Sequence, residues 1–123
     1  MTALIALVLA LWGVTFTEPI FVNFHTDPAL GIGFAYVQQL EHPDAPPVGS
    51  CTISFDEARW AAMTQAQRES LALHEVGHCL GLGHYGSCNA HLSIMGCPVL
   101  GRVTDYDRAM LAGNRLFVPM VVQ

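Results

Sequence analysis

The chain has 123 residues, of which 52% are hydrophobic and only 12% charged, which excludes disorder for most of its length. Ten acidic residues face five cations, all Arg, for a formal net charge of −5; no basic nucleic-acid interface or polybasic membrane anchor can be built from that. The longest apolar run, Ala3–Val14, is too short to cross a bilayer as a helix, so no stable membrane span is expected. The length suits a single domain.

Residues 1–14 open the chain and admit two readings. Ala3–Val14 has the length of a secretory signal core, but no Lys or Arg precedes it, and Val8-Leu9-Ala10 is an indistinct cleavage site. The alternative is a buried first helix ending near Trp12-Gly13. Ile20–Phe24 reads as a short strand. Gly31–Val37 reads as another, with Gly33 marking a bulge or a close backbone approach. Leu40–Gly49 carries Pro43, Pro46 and Pro47 and reads as a loop, with His42 exposed in it. Ser50–Phe55 reads as a third strand with Cys51, Ile53 and Phe55 on one face.

Thr64-Gln65-Ala66-Gln67 has capping-box spacing, so a helix is expected to start after Thr64. Leu73, Val76, Gly77 and Leu80 give it an apolar face, and Gly81 and Gly83 stop it. Thr104 or Asp105 can cap a last helix over Tyr106–Ala112, ended by Gly113. The apolar tail Leu116–Gln123, with Pro119, has no assigned role. Trp12 and Trp60 read as core. Four cysteines allow three full pairings, of which Cys88–Cys97 closes the shortest loop. Disulfides are expected if the protein is exported, and four buried thiols if it is not. Cys79 reads as core or disulfide rather than as a ligand, and His91 as a surface residue.

The stretch His74–His84 reads HEVGHCLGLGH. His74 and His78 lie four apart, so on a helix both imidazoles leave one face, a spacing that suits Zn²⁺. A positive φ at Gly81 would turn the chain so that His84 returns as a third ligand. Three protein ligands leave a position for water, as in catalytic rather than structural zinc sites. Glu75 sits beside them without being a ligand and would act as general base, activating a zinc-bound water. The competing readings are surface histidines that happen to align and a purely structural zinc site.

The full pattern HExxHxxGxxH, followed by Ser93-Ile94-Met95-Gly96 as a Met-turn, resembles the metzincin zinc peptidases. Within them the chain looks most like a matrixin, a matrix metalloproteinase-type catalytic domain, loosely over Leu11–Ala112. Leu11-Trp12 and Thr15-Phe16 resemble the end of that family's first helix and the following strand. Ile53-Ser54-Phe55-Asp56 with Trp60 resembles the strand before the active-site helix. Thr104-Asp105-Tyr106-Asp107 resembles the start of the C-terminal helix. The resemblance implies an α+β zincin domain: a small twisted mixed sheet with an antiparallel edge strand, an active-site helix and a C-terminal helix. It favours a domain helix over a signal at residues 1–14. It also implies that Met95 lies beneath the metal and that peptide adds as a strand along Gly33, Phe34, Ala35 and Tyr36.

Departures from the family are plain. Tyr85 follows the third His, where a small residue is usual; it is read as packing. Cys97-Pro98 follows the Met-turn, where Tyr-Pro is frequent, which alters the S1′ wall. If residues 1–14 are a domain helix, the family's usual first strand is expected to be missing, and latency through an inhibitory Cys is not expected. His25 and Asp27 resemble the start of the family's structural zinc site, but Phe34 and Ser54 stand where His would be wanted, so a second zinc is not expected. Calcium in the Asp27–Asp44 region is unsupported beyond an acidic loop.

The function expected is zinc-dependent hydrolysis of peptide bonds in protein or peptide substrates, by a secreted or extracellular monomer. The alternatives are a catalytically weak zinc- and peptide-binding module of the same fold, a structural protein with a coincidental motif, and a hydrolase of non-peptide amides.

Overall fold

The computed structural model describes residues 1–15, 19–37 and 50–122, the last nine of these by backbone alone. The Pro-rich loop with His42 and Asp44, together with Phe16, lies outside the described residues. The protein is α+β. In chain order it has α1 (Thr2–Trp12), β1 (Ile20–His25), β2 (Gly33–Val37), β3 (Cys51–Asp56), α2 (Glu57–Ala62), α3 (Gln65–Cys79) and α4 (Asp105–Val122). Among the described residues no helix is long and apolar enough to cross a membrane.

β3 is the centre of the sheet, whose order is β1-β3-β2. It pairs parallel with β1, Val22 opposite Ile53, and antiparallel with β2, Ala35 opposite Ile53. Strand alternation then separates two faces. Cys51, Ile53 and Phe55 are wholly buried in the core with Leu73 and Val76 of α3. On the other face His25 stands between two partners: its Nδ1 meets Ser54 Oγ at 2.8 Å and its Nε2 meets the Gly31 carbonyl at 2.8 Å. Gly31 O can only accept, so Nε2 carries the proton and Nδ1 accepts from the Ser54 hydroxyl. Asp27 caps the short turn Pro28–Leu30 by accepting from Ala29 N at 3.0 Å. The two residues that resemble a second metal site thus serve turn and strand contacts here.

α1 is apolar on every side, but only Ile5, Val8 and Trp12, one helical face, are buried. It is seated against α3, and Trp12 Nε1 donates to Leu73 O at 3.0 Å. Gly13, with φ of 74°, ends it, and Arg108 of α4 donates to the Leu11 carbonyl at 3.2 Å. The Arg places a cation at a helix C-terminus, where the dipole favours it.

One element is new and one expectation needs correcting. α2 was not foreseen: Asp56 leaves β3 and at once caps a helix, accepting from Arg59 N at 2.9 Å. Its Trp60 stacks on Phe55 at 4.2 Å, so a residue read only as core also pins a one-and-a-half-turn helix. α4 does not stop at Gly113 but continues to Val122. Glycine lowers helix propensity by about 1 kcal/mol without forbidding the conformation, and in α4 it has no positive φ. The start was better read: Thr104 Oγ1 accepts from Asp107 N at 3.1 Å.

The disulfides are Cys51–Cys79, which ties β3 to the end of α3, and Cys88–Cys97, which closes the turn region after it. Sequence had left three pairings open. Cross-linking loops of this size stabilises by about 3 kcal/mol each in the chain-entropy picture.

Candidate metal centre

The capping box predicted for α3 is present: Thr64 Oγ1 accepts from Gln67 N at 3.2 Å, and Gln67 Oε1 accepts from Thr64 N at 2.8 Å. From that start the helix brings His74, Glu75 and His78 to the cleft. It ends in a Schellman turn, in which Leu82 N donates to Gly77 O at 3.0 Å and Gly81 N to His78 O at 3.0 Å. Gly81 has φ of 92°, the left-handed region that the return of the chain requires. The reversal carries His84 back toward the helix.

Three imidazoles then converge. His78 Nε2 lies 3.2 Å from His74 Nε2 and 3.1 Å from His84 Nε2. His74 Nδ1 donates to Ile94 O at 2.8 Å, and His78 Nδ1 donates to Leu82 O at 2.7 Å. A carbonyl only accepts, so both rings carry their proton on Nδ1 and face each other with bare Nε2 lone pairs. Burial lowers His74 to about 4 and lowers His78 as well, which holds both neutral. Lone pairs at such a distance repel unless a cation lies between them. Tetrahedral ligation at Zn–N distances near 2.0–2.1 Å requires N···N separations of roughly 3.3 Å, so the donor set fits zinc. Among the described residues this is the group of three or more His, Cys, Asp or Glu whose ligand atoms come close enough to hold a metal.

Glu75 points into the same cleft, of about 550 Å³, which is also lined by Gly33–Tyr36 of β2 and by the Gly81–His84 turn. Burial alone pushes its carboxyl up to about 7 from the usual 4.5. That is the range in which a carboxylate exchanges protons near neutral pH. Gly33 answers the choice left open above: it is a close approach. A Cβ there would stand 3.0 Å from Glu75 Oε2 and 3.4 Å from Phe55. Gly33 and Ala35 turn toward the core, while Phe34 and Tyr36 lie on the opposite face, stacked at 6.5 Å. β2 forms one edge of the sheet among the described residues, beside the cleft.

Met95 is wholly buried against α3, and its Sδ would lie 2.2 Å from a Cβ at position 77. Gly77 therefore does more than continue an apolar face: only a hydrogen there leaves room for Met95 and for Trp12, which would be 3.0 Å away. Gly96 is equally constrained, since a Cβ would meet Tyr85 O at 2.1 Å. Tyr85 itself is half-buried; its hydroxyl accepts from Gly83 N at 3.1 Å and its ring meets Tyr106 edge-on at 6.2 Å. His91 is exposed, and the sulfur of Cys79 is taken up in its disulfide with Cys51.

Asp107 and Ser93 are the residues whose part in the site the sequence concealed. Both are fully buried. Asp107 accepts from Ser93 Oγ, from Ile94 N at 3.0 Å and from Thr104 N at 2.9 Å. The Thr-x-x-Asp spacing was visible as a helix start, but nothing in it revealed contact with the turn at residues 93–95.

Comparison with family models, with curated proteins and with solved structures found no significant match to this chain.

Proposed function

We propose that the protein is a zinc-dependent endopeptidase of metzincin type, matrixin-like in its plan. The observation that carries the reading is the convergence of three imidazole Nε2 atoms, two of them fixed as lone-pair donors, beside the buried carboxylate of Glu75 in one cleft. Zinc, when bound, supplies a Lewis acid that polarises the scissile carbonyl and acidifies water.

The chain's own residues supply the rest. His74, His78 and His84 would hold the metal. Glu75 accepts the proton of the attacking water and later returns it to the leaving amine. Burial raises its affinity for a proton, which suits acceptance of one from water. An extended substrate would lie along β2, bonding to the strand's backbone while its side chains alternate between cleft and solvent. The Cys88–Cys97 disulfide braces the turn that carries Met95. Two disulfides suit an oxidising, extracellular setting.

Cleavage of a mixed fluorogenic peptide library by wild type and by Glu75→Ala tests the reading. Wild type should cleave, and Glu75→Ala should not while still binding one zinc. Zinc binding without cleavage by wild type would favour a binding module of the same architecture. The absence of stoichiometric zinc would sink both.

A further inference from the structure

The hydrogen bonds behind His74 form a continuous chain. Asp107 Oδ1 accepts the Ser93 hydroxyl proton. Ser93 Oγ in turn accepts from Met95 N at 2.9 Å. That N–H belongs to the peptide joining Ile94 and Met95, and the carbonyl of the same peptide accepts from His74 Nδ1 at 2.8 Å. Carboxylate, hydroxyl, peptide and imidazole are therefore linked head to tail, each donating toward the carboxylate. Ser93, Ile94, Met95 and Asp107 are all fully buried, so no water competes for these bonds.

We infer that Ser93 and Asp107 are positioning residues for the metal site, acting on His74 through the peptide between Ile94 and Met95. The proposal rests on the metal-centre reading above and deepens it. A hydrogen-bonded chain in a low-dielectric interior polarises along its length. The peptide that donates to Ser93 becomes a better acceptor at its carbonyl, and its bond to His74 Nδ1–H strengthens. A stronger bond at Nδ1 makes Nε2 a better metal donor, as a directly bonded carboxylate does in other metal sites. Asp107 also accepts from Ile94 N, in the preceding peptide, and from Thr104 N, so it ties the turn at residues 93–95 to the start of α4.

His78 provides an internal control. Its Nδ1 donates to Leu82 O, a carbonyl of the turn at the end of α3 rather than of the 93–95 turn. The inference therefore predicts an effect on one histidine of the three.

Its test is the NMR position of the Nδ1–H protons of His74 and His78, in metal-free and zinc-loaded protein, for wild type, Ser93→Ala and Ser93→Cys. Zinc affinity is measured alongside by competition with a chelator. Ser93→Ala should move the His74 proton upfield while leaving that of His78 in place, and should weaken zinc about 10-fold. Ser93→Cys, with a weaker donor of similar size, should fall between the two, and it serves as the test variant should Ser93→Ala fail to fold. Equal movement at both histidines would mean general loosening and would overturn the inference, as would no movement at either. Because the protons are read without metal as well, a wild type that binds no zinc would refute the metal reading and leave this result separately readable.

Discussion

The floor and the rim of the cleft are built in different ways. The floor is α3, backed by the turn at residues 93–95 and by Asp107 of α4: His74 is 6% exposed, Glu75 2%, and Met95 and Asp107 not at all. Each of these is fixed by packing or by a hydrogen bond to another element. The rim is the Gly81–His84 turn and β2. There His84 and Tyr36 are exposed, and the chain is shaped by a left-handed glycine and strand pairing. The difference teaches that two of the three proposed ligands sit in a preformed frame while the third is delivered by a turn. Metal binding should therefore depend on both regions, and the stability of the metal-free protein on His74 more than on His84.

Removing one ligand from each region breaks the comparison most directly. His74→Ala and His84→Ala should each weaken zinc by a few hundred-fold, since about 10 kcal/mol or more of site affinity is shared among few ligands. They should part company in the metal-free protein. His74→Ala leaves the buried Ile94 carbonyl without its donor and should cost about 1–3 kcal/mol of stability, whereas His84→Ala should leave the thermal midpoint unchanged. Chelator competition and calorimetry of both variants would measure this. Equal destabilisation by the two would erase the distinction between floor and rim.

A smaller effect comes from the charge buried in the floor. The fold raises Glu75 to about 7 from 4.5, so it disfavours the ionised form in the metal-free protein. Glu75 therefore subtracts stability above about pH 7, by up to about 3 kcal/mol, and the penalty fades as pH falls toward the ordinary carboxylate range. Metal-free Glu75→Gln should melt above wild type at pH 8, with the gain gone near pH 4.5. His74 works in the opposite sense. Its value, lowered to about 4 from 6.5, means that the fold holds the neutral ring and loses stability on acidification between those values. Melting curves of both forms from pH 4 to 8 would show whether the two slopes oppose each other. A Glu75→Gln gain that does not depend on pH would contradict the assignment.

The smallest of these effects sharpens the packing side. Gly77→Ala places a methyl against Met95 Sδ and the Trp12 ring, and overpacking of this kind costs about 1–3 kcal/mol. Met95 is a flexible side chain and can yield in part, so the cost should lie toward the lower end. Met95→Ala in the same chain should recover part of it. Additive losses in the double variant would show that the two side chains do not meet.

How much of this was legible varied with the range of the interaction. The capping box at Thr64, the i, i+4 histidines and the turn at Gly81 are local, and residue type with spacing fixed them correctly. The α2 helix was missed because its signal is a single Asp cap over six residues, too short for periodicity to register. The end of α4 lies beyond Gly113, because glycine weakens a helix without ending it and the backbone there stays helical. The pairing Cys51–Cys79 joins residues 28 apart, and no spacing rule reaches that far.

By itself, then, the sequence determined which atoms are available to a metal and which face of α3 presents them, because helical geometry follows from local residue choice. Only the tertiary structure decided the protonation pattern of the rings. That pattern depends on which carbonyls lie against Nδ1, and Ile94 O reaches His74 from 20 residues away. The same holds for the proton affinity of Glu75, which is set by burial of its carboxyl beside Gly33 of β2. It holds also for the chain of bonds from Asp107 to His74, which exists only once α4 has docked.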